Sequence, residues 1–552
     1  MSDSTQPAVP VVRHFRQILL WPLRVIHGQA EGTHISKYWE LLEALGEQCP
    51  WREVVDEFGD PADFQERHYK EFVTFLPYVQ RFLYGEGMGR EGSMTGYGQS
   101  PIRVFRRRGI DQMRVTFDDQ SPPIVFDVAH IDLYFFYDID IIILAVEFSA
   151  NDLPLQLAQE ALFKLGRAYP ASWEANGQGG QCPHRVEWLS ATGETLAVSD
   201  YEDRRQYLPF VGQHRSPNIA AHWEYLLRPL ALYHSDHEGV MLYRQVEYHR
   251  MPLLAYLSFD DPKALTRGDF ARLALNTKPG SSDTLPYSEQ ELAQFEQKYC
   301  YDKFWDPLNP AFSSRYLCCG HAFVMVGKAS ERFFTDPDAG VLGQFRHQYF
   351  LVNLIAHFHK ATLMLFSEWL AAAISQLDIR DVDSVKAFKR EIRRVMETFL
   401  RFTHRYWFHE VSNQAQVRDL FRMLTDHLDT DRVYQDVSAA VKEMNHYLDS
   451  DSLRRQANTV VRLTVVTTLG LIATVSTGFL GMNIFDETGH PAWIKLLIFI
   501  AVVIPSILLV NYAVANAKVL SDFLEALANE RLTWWDRFKV LLRIWWKPRR
   551  TK

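Results

Sequence analysis

Three residues between two long apolar runs have the types best suited to chemistry: Gly481, Met482 and Asn483. The Asn483 carboxamide is neutral, and its oxygen accepts hydrogen bonds from the waters of a hydrated cation without binding the metal itself. Gly481 has no side chain, so it lets the backbone turn and leaves space beside it. Met482 is a thioether, which suits soft metals rather than Mg²⁺, so we interpret it as a packing residue. These residue types are compatible with contact to the water shell of a hydrated cation.

A short acidic loop follows the tripeptide. Asp486 and Glu487, repeated around an oligomer, would form an outer acidic ring that concentrates cations. The alternative interpretation is a pair of solvated loop carboxylates. His490 lies in the same loop and is more typical of an ordinary loop residue than of a ligand. Because imidazole suits transition metals, the ion stays open among Mg²⁺, Zn²⁺, Co²⁺ and Ni²⁺.

The loop joins two apolar runs that contain no charged residue, Leu463–Met482 and Leu496–Ala517. Each is about as long as the 20 apolar residues that a helix needs to cross a bilayer core of about 30 Å. We therefore predict a transmembrane hairpin, with a first helix over 463–483, an external loop over 484–494 and a second helix over 495–517.

Basic residues lie at both outer ends of this hairpin. Arg454, Arg455 and Arg462 precede the first span, and many lysines and arginines follow the second. Lys and Arg next to spans stay on the cytoplasmic side, so we predict a multi-pass protein of a bacterial-type inner (plasma) membrane with both termini in the cytoplasm. The apolar run Gln17–Trp21 is too short for a signal peptide and is broken by Pro22.

A stripe of mostly small or hydroxylated residues recurs along the first span at alternating steps of four and three. Such a stripe either lets helices pack closely, because small residues allow close approach, or lines a pore with weakly polar groups. Two helices cannot enclose a pore, so the second interpretation requires an oligomer. The members of this stripe are Val460, Thr464, Thr467, Leu471, Thr474 and Gly478, and it ends at Gly481.

The tripeptide, followed by Ile484, Phe485 and two carboxylates within a terminal hairpin, resembles the signature of the CorA family of divalent-cation channels. The resemblance implies a homopentamer with a cytoplasmic funnel and a pore lined by the first spans. It implies transport of a divalent metal ion such as Mg²⁺ past Asn483, with no enzyme activity and no cofactor besides the transported ion. The segment 486–491 departs from the commonest form of the family's loop. A zinc, cobalt or nickel transporter and a membrane-anchored sensor without transport therefore remain alternatives.

The sequence before the hairpin fits a large cytoplasmic body. Of 552 residues 47% are hydrophobic, and a net charge of −8 gives no reason to expect a nucleic-acid partner. Segments rich in β-branched and aromatic residues, such as Ile124–Val128 and Ile141–Phe148, predict an α/β domain with a mixed sheet. The predicted divisions are a mostly helical N-terminal extension (1–100), a cytoplasmic α/β domain (101–340), a cytoplasmic helical region (341–430) and a stalk helix (431–462).

The stalk helix has one apolar stripe, which predicts that it packs along one face. No Gly or Pro separates it from the first span, so we predict one helix that continues unbroken into the membrane. A helix is also predicted over 350–377, but His357, His359 and Lys360 make it a poor membrane span. The stripe of the stalk consists of Val433, Val437, Ala440, Val441, Met444, Tyr447 and Leu448.

The C-terminal tail, 518–552, combines a tryptophan-rich face with lysines and arginines. This pattern predicts an amphipathic helix at the inner membrane interface, bound to anionic lipid, and the alternative is packing on the stalk of a neighbouring subunit. The five cysteines have no metal-finger spacing and are expected to stay reduced. They are Cys49, Cys182, Cys300, Cys318 and Cys319.

Overall fold

The chain divides into two compact units, an N-terminal unit, Met1–Lys442, and a C-terminal unit, Glu443–Lys552. The division falls inside the predicted stalk helix. The computed structural model describes residues 10–26, 37–54, 65–85, 100–246, 249–281, 284–378, 381–482 and 491–515.

Fourteen strands form one sheet in the N-terminal unit. They are β1 Val11–Ile26, β2 Trp51–Glu53, β3 Ile102–Arg107, β4 Gln112–Thr116, β5 Ile124–Phe136, β6 Ile141–Pro154, β7 Arg185–Leu189, β8 Thr195–Val198, β9 Leu230–Leu232, β10 Met241–Gln245, β11 Leu253–Phe259, β12 Cys300–Tyr301, β13 Arg315–Cys319 and β14 Ala322–Lys328.

Helices precede, interrupt and follow these strands. They are α1 Glu40–Glu43, α2 Glu66–Thr74, α3 Pro77–Tyr84, α4 Leu155–Lys164, α5 Arg204–His214, α6 Ala221–Leu227, α7 Arg267–Leu275, α8 Glu289–Tyr299, α9 Arg332–Thr335, α10 Val341–Gln344, α11 Phe350–Ser375, α12 Val382–Arg405, α13 Ala415–Leu428, α14 Thr430–Gly481 and α15 Ala492–Ala515. Short 3₁₀ turns lie at Gly46–Gln48 and Pro262–Ala264, and a π-helical segment at Phe345–Tyr349 leads directly into α11.

The sheet is mixed, as the sequence predicts. Its main path runs β12-β13-β14-β11-β1-β6-β5-β4-β7-β8, while β10 pairs with β1 and β9, and β3 pairs with β5 and β2. The pairs β11–β14 and β9–β10 are parallel. Asp138 has a φ of 64° between β5 and β6, a left-handed conformation that Asp tolerates in turns.

The prediction of a mostly helical extension over 1–100 is wrong for β1, which is a central strand. It pairs with β6 along most of its length and with β11 and β10 on its other side. Its middle is buried on both faces. A strand buried on both faces is a continuous apolar run without alternation, so the period that marks a half-buried strand is missing.

Pro22 fits inside β1 because of where it lies. Its carbonyl accepts a hydrogen bond from the Val246 N–H at 3.4 Å. The N–H and C=O of one residue point to the same side of a strand, so the missing donor of Pro22 also faces that side. There the pairing with β11 has ended at Leu19 and the pairing with β10 begins at Leu23. A proline is tolerated at such a gap between partners.

The helix α11 is the centre of a helical layer that packs on the sheet. It contacts α12 and α13 as well as β1 and β6, and Phe358 stacks on Phe136 of β5 with ring centroids 3.9 Å apart. Among described residues, Val341–Ser375 is one helical stretch long and apolar enough to cross a membrane. However, 78% of its apolar window is buried within the protein. That burial is typical of a core helix.

The predicted stalk continues without a break into the first apolar run, since α14 extends from Thr430 to Gly481. Val437, Val441 and Met444 of its apolar stripe are buried, whereas Tyr447 is exposed. The second apolar run contains α15. Shorter apolar helical stretches occur at Val466–Phe479 and Ala492–Leu508.

Candidate functional site

The tripeptide begins where α14 ends, since Gly481 is the last helical residue. Met482 follows in a turn, 65% exposed, and its N–H lies 3.4 Å from the carbonyl oxygen of Phe479. The last carbonyls of a helix have no intrahelical partners and form the negative end of its dipole, which attracts cations. Asn483, Asp486 and Glu487 lie outside the described residues, so their roles stay predictions.

The stripe of the first span is exposed along α14. Val460 is 61% and Leu471 49% exposed, and Thr467, Thr474 and Gly478 are exposed as well. The side chain of the sixth member, Thr464, lies outside the described set. Exposure alone does not single out this face, because Leu463, off the stripe, is 65% exposed.

Another line of α14 is less exposed than its neighbours. Thr468 and Ile472 are half-buried, and Ser476 is 4% exposed. At 3.6 residues per turn, Ser476 lies about 160° around the helix from Gly478. In α15, Ser506 and Val510 are likewise buried. The stripe is therefore not the surface that α14 buries within its own unit, which weakens the interpretation as packing inside one chain.

The stripe threonines bond to their own helix. The Thr467 hydroxyl donates to the Leu463 carbonyl at 2.6 Å, and the Thr474 hydroxyl donates to the Gly470 carbonyl at 2.8 Å. Each hydroxyl proton is thus used, and the oxygen keeps lone pairs that accept hydrogen bonds. The waters of a hydrated cation donate hydrogen bonds outward, so acceptor groups on this face suit them.

A polar cavity of about 220 Å³ lies in the N-terminal unit, between the sheet and the π-helical segment. Sequence reasoning missed it, because its lining comes from elements that are far apart in the chain, namely β1, β3, β5, β6, α2, the π-helical segment and α11. The available signal was Glu147, a carboxylate in the otherwise buried apolar run of β6. The charged and polar side chains that line it are Glu71, Arg106, His130, Asp132, Tyr134, Glu147, Arg346 and His347.

Glu147 is the most constrained acid of this cavity. It is 7% exposed and pairs with both Arg16 and Arg346. Burial would raise the pKa of Glu147, but the two guanidinium groups hold that pKa below its ordinary value. Burial lowers the pKa of His130. It raises the pKa of Tyr134 well above its ordinary range, so its hydroxyl stays protonated.

The histidines of α11 belong to the core. His359 donates from Nε2 to the Tyr406 carbonyl at 2.6 Å, and the neighbouring Lys360 ammonium donates to the Leu428 carbonyl at 2.9 Å. Burial lowers the pKa of both His357 and His359 to about 3. Both rings are thus neutral and occupied by packing.

Two buried cysteines, Cys182 and Cys319, are protonated thiols. Burial raises the pKa of Cys182 to about 12 and also raises that of Cys319, whose thiol donates to the Ala274 carbonyl at 3.1 Å. A thiol in that state is a poor nucleophile and a poor metal ligand. Within the described ranges, no three His, Cys, Asp or Glu side chains converge as a metal site.

Comparison with known proteins finds distant similarity among solved structures. No protein-family model matches the chain, and no curated protein matches it. Among solved structures, the chain is similar to the CorA magnesium transporter from Methanocaldococcus jannaschii, at 10% identity. That match covers 49% of this chain and 93% of that chain, with a TM-score of 0.18. A TM-score this low supports no argument about fold or function.

Proposed function

We propose that this chain forms a homopentameric channel that conducts hydrated divalent cations, with Mg²⁺ as the first candidate, across an inner membrane. The first spans would line the pore, and Asn483 would select the ion at the outer end. The observation that supports this most is the exposed stripe of α14 that ends at Gly481, on a different face from the buried Ser476. A helix that leaves such a stripe uncovered in one subunit has a face available for other subunits around a pore.

The residues suggest how an ion would pass without covalent chemistry. Mg²⁺ sheds its waters reluctantly, so a pore for it must accept hydrogen bonds from those waters. Thr467 and Thr474 offer hydroxyl oxygens whose protons are bonded within the helix. At the end of α14, carbonyl oxygens and the Asn483 carboxamide would offer further acceptors. Asp486 and Glu487 would raise the local concentration of cations at the entrance.

Two rival functions lead to different measurements. His490 favours a transition metal such as Zn²⁺, Co²⁺ or Ni²⁺, because imidazole binds these ions directly. A membrane-anchored sensor would bind or respond to a molecule in its N-terminal unit and would conduct no ion.

The test is ion uptake into liposomes that contain the purified, assembled protein, with fluorescent indicators for Mg²⁺ and Zn²⁺. We expect Mg²⁺ uptake that Asn483→Ala abolishes and that Asn511→Ala, which removes a carboxamide from α15, leaves intact. Uptake of Zn²⁺ alone would favour the transition-metal carrier. Uptake of neither ion would favour the anchored sensor.

A second measurement addresses hydration. Hexammine complexes mimic a cation with its complete first shell, and their ligands do not exchange readily. We expect cobalt(III) hexammine to block Mg²⁺ uptake, since the proposed selector binds the water shell. Unchanged uptake with the complex in excess would contradict a selector for hydrated ions.

A further inference from the structure

The cavity beside Glu147 has features beyond those of a structural ion-pair cluster. Three carboxylates line it, and Asp132 and Glu147 are 6% and 7% exposed. Burying charged groups is costly unless each is paired. A cluster that served stability alone would fill its space, but here about 220 Å³ remains next to the charges.

The charges of this cavity balance in pairs. Arg106 donates from Nε and Nη2 to the two oxygens of Asp132, at 2.7 and 2.9 Å. Glu71 accepts from the Tyr84 hydroxyl at 2.6 Å and lies 3.1 Å from His347 Nδ1. With Arg16 and Arg346 on Glu147, neither sign dominates. The cavity therefore suits a ligand without net charge better than a free cation or a free anion.

Some donors and acceptors of the cavity remain available. Arg346 uses Nε on Glu147 at 3.0 Å and Nη2 on His130 at 3.3 Å. Its Nη1, the Nη1 of Arg106 and the Oε2 of Glu147 have no hydrogen-bond partner among described residues. An available guanidinium nitrogen thus lies on one partner of an ion pair, and an available carboxylate oxygen lies on the other.

Apolar side chains complete the lining, and the backbone above it is unusual. Ile18, Ala145, Phe350 and Leu351 also face the cavity. Arg346 and His347 are consecutive residues that line the same cavity from the π-helical segment Phe345–Tyr349. Such segments are rare and frequently occur at functional sites.

From this arrangement we propose that the cavity binds a small zwitterion, an α-amino acid with an apolar side chain. Its carboxylate would bond to the available nitrogens of Arg106 and Arg346, and its ammonium to Oε2 of Glu147. An α-amino acid has both charged groups attached to one carbon atom, Cα, and this short separation matches a guanidinium and a carboxylate that already touch. The side chain would lie against Ile18 and Phe350. The inference concerns the N-terminal unit and does not depend on ion transport.

Calorimetric titration of the purified full chain with L-leucine tests this proposal. Two analogues separate the charges: 4-methylpentanoic acid lacks the amine, and 3-methylbutylamine lacks the carboxylate. We expect leucine to bind at least about 10-fold more tightly than either analogue, a difference of about 1.4 kcal/mol. If 4-methylpentanoic acid binds as tightly as leucine, the cavity is an anion site and the proposed zwitterion site is wrong. Absence of binding by alanine, valine, leucine and methionine alike would overturn the site itself.

Variants locate the binding. Arg346→Gln should weaken leucine binding about 10-fold or more, and Ala145→Leu should block it by filling the cavity without removing a charge. Arg13→Gln is the matched control, because it removes an arginine that pairs with Asp152 and Asp260 on the surface. If Arg346→Gln does not fold, Ala145→Leu decides alone. Full affinity in a folded Ala145→Leu protein would overturn the proposal.

Discussion

The two units differ in which side chains they bury and which they expose. In the N-terminal unit, the buried carboxylate of Glu147 pairs with the half-buried guanidinium of Arg346. From Leu463 onward, the described side chains of α14 and α15 are mostly apolar and exposed, and threonines bond to their own helix. The first unit pairs buried charges with each other, whereas the second exposes apolar side chains, as elements that contact lipid or other subunits do. This contrast predicts that the same kind of change will have different effects in each unit.

Acidification should produce the largest difference between the units. His222, His357 and His359 are fully buried, and burial lowers the pKa of each to about 3, below its ordinary 6.5. The folded state therefore binds fewer protons, so stability is complete above about pH 6.5 and is lost as the pH falls toward 3. Each histidine costs about 1.4 kcal/mol per pH unit in this window.

We expect the N-terminal unit to lose its tertiary structure between about pH 6 and 4, measured by tryptophan fluorescence. The helical circular dichroism of the run 463–482 of α14 in detergent should persist, because this run has no titratable group. His359→Gln should make the pH dependence shallower. A midpoint of thermal unfolding that is equal at pH 7 and pH 4 would contradict the prediction.

Removing one aromatic ring from each unit sharpens the same contrast. Phe358 is fully buried and stacks on Phe136, so Phe358→Ala should reduce the free energy of unfolding by about 4 kcal/mol. Trp493→Ala removes a ring from the exposed surface of α15 and should change the same quantity by less than about 0.5 kcal/mol. Denaturant titration followed by fluorescence measures both. Equal losses would mean that the exposed surface is packed in the folded subunit.

Breaking the charge cluster should have a somewhat smaller effect. Glu147→Gln leaves Arg16 and Arg346 without their shared carboxylate, at a cost of about 3 kcal/mol at pH 7. The pKa of Glu147 lies below its ordinary 4.5, so its contribution is present above about pH 4.5 and is lost as the pH falls further. The difference in stability between the variant and the parent should thus stay constant from pH 7 to 5, where Glu147 is ionised, and narrow only as the pH falls below about 4.5. A difference that already narrows between pH 7 and 5 would show that the charge of Glu147 is not the cause.

The smallest effect on stability is expected in the stripe. Thr474→Val removes a hydroxyl whose proton is already bonded to Gly470, so the free energy of unfolding should change by less than about 0.5 kcal/mol. Ion uptake should fall about fivefold, the equivalent of one lost hydrogen bond of about 1 kcal/mol. Thr468→Val, on the half-buried line, is the control and should conduct normally. Equal uptake by both variants would contradict a pore wall at Thr474.

Helices and strands whose apolar residues follow a regular pattern were predictable from the sequence. Sites that are assembled from elements far apart in the chain were not. The run of α14 and the strands β5 and β6 follow from local patterns. β1 was not predicted, because a strand that is buried on both faces does not alternate apolar and polar residues. The polar cavity was not predicted, because Asp132, Glu147 and Arg346 come together only when β5, β6 and the π-helical segment pack against each other. The stripe was visible in the sequence. Only the structure shows that α14 buries a different row of residues, which includes Ser476.

The central place of β1 has a consequence for synthesis on the ribosome. Its partners follow much later in the chain, and the His14 N–H bonds to the Ser258 hydroxyl across 244 residues. The first strand must therefore stay unpaired while β6 and then β11 emerge, which is slow and leaves strand edges open to aggregation. The last strand, β14, ends at Lys328, before the apolar runs are made. The sheet can close before translation reaches the apolar runs of α14 and α15, so these runs would emerge behind a completed sheet.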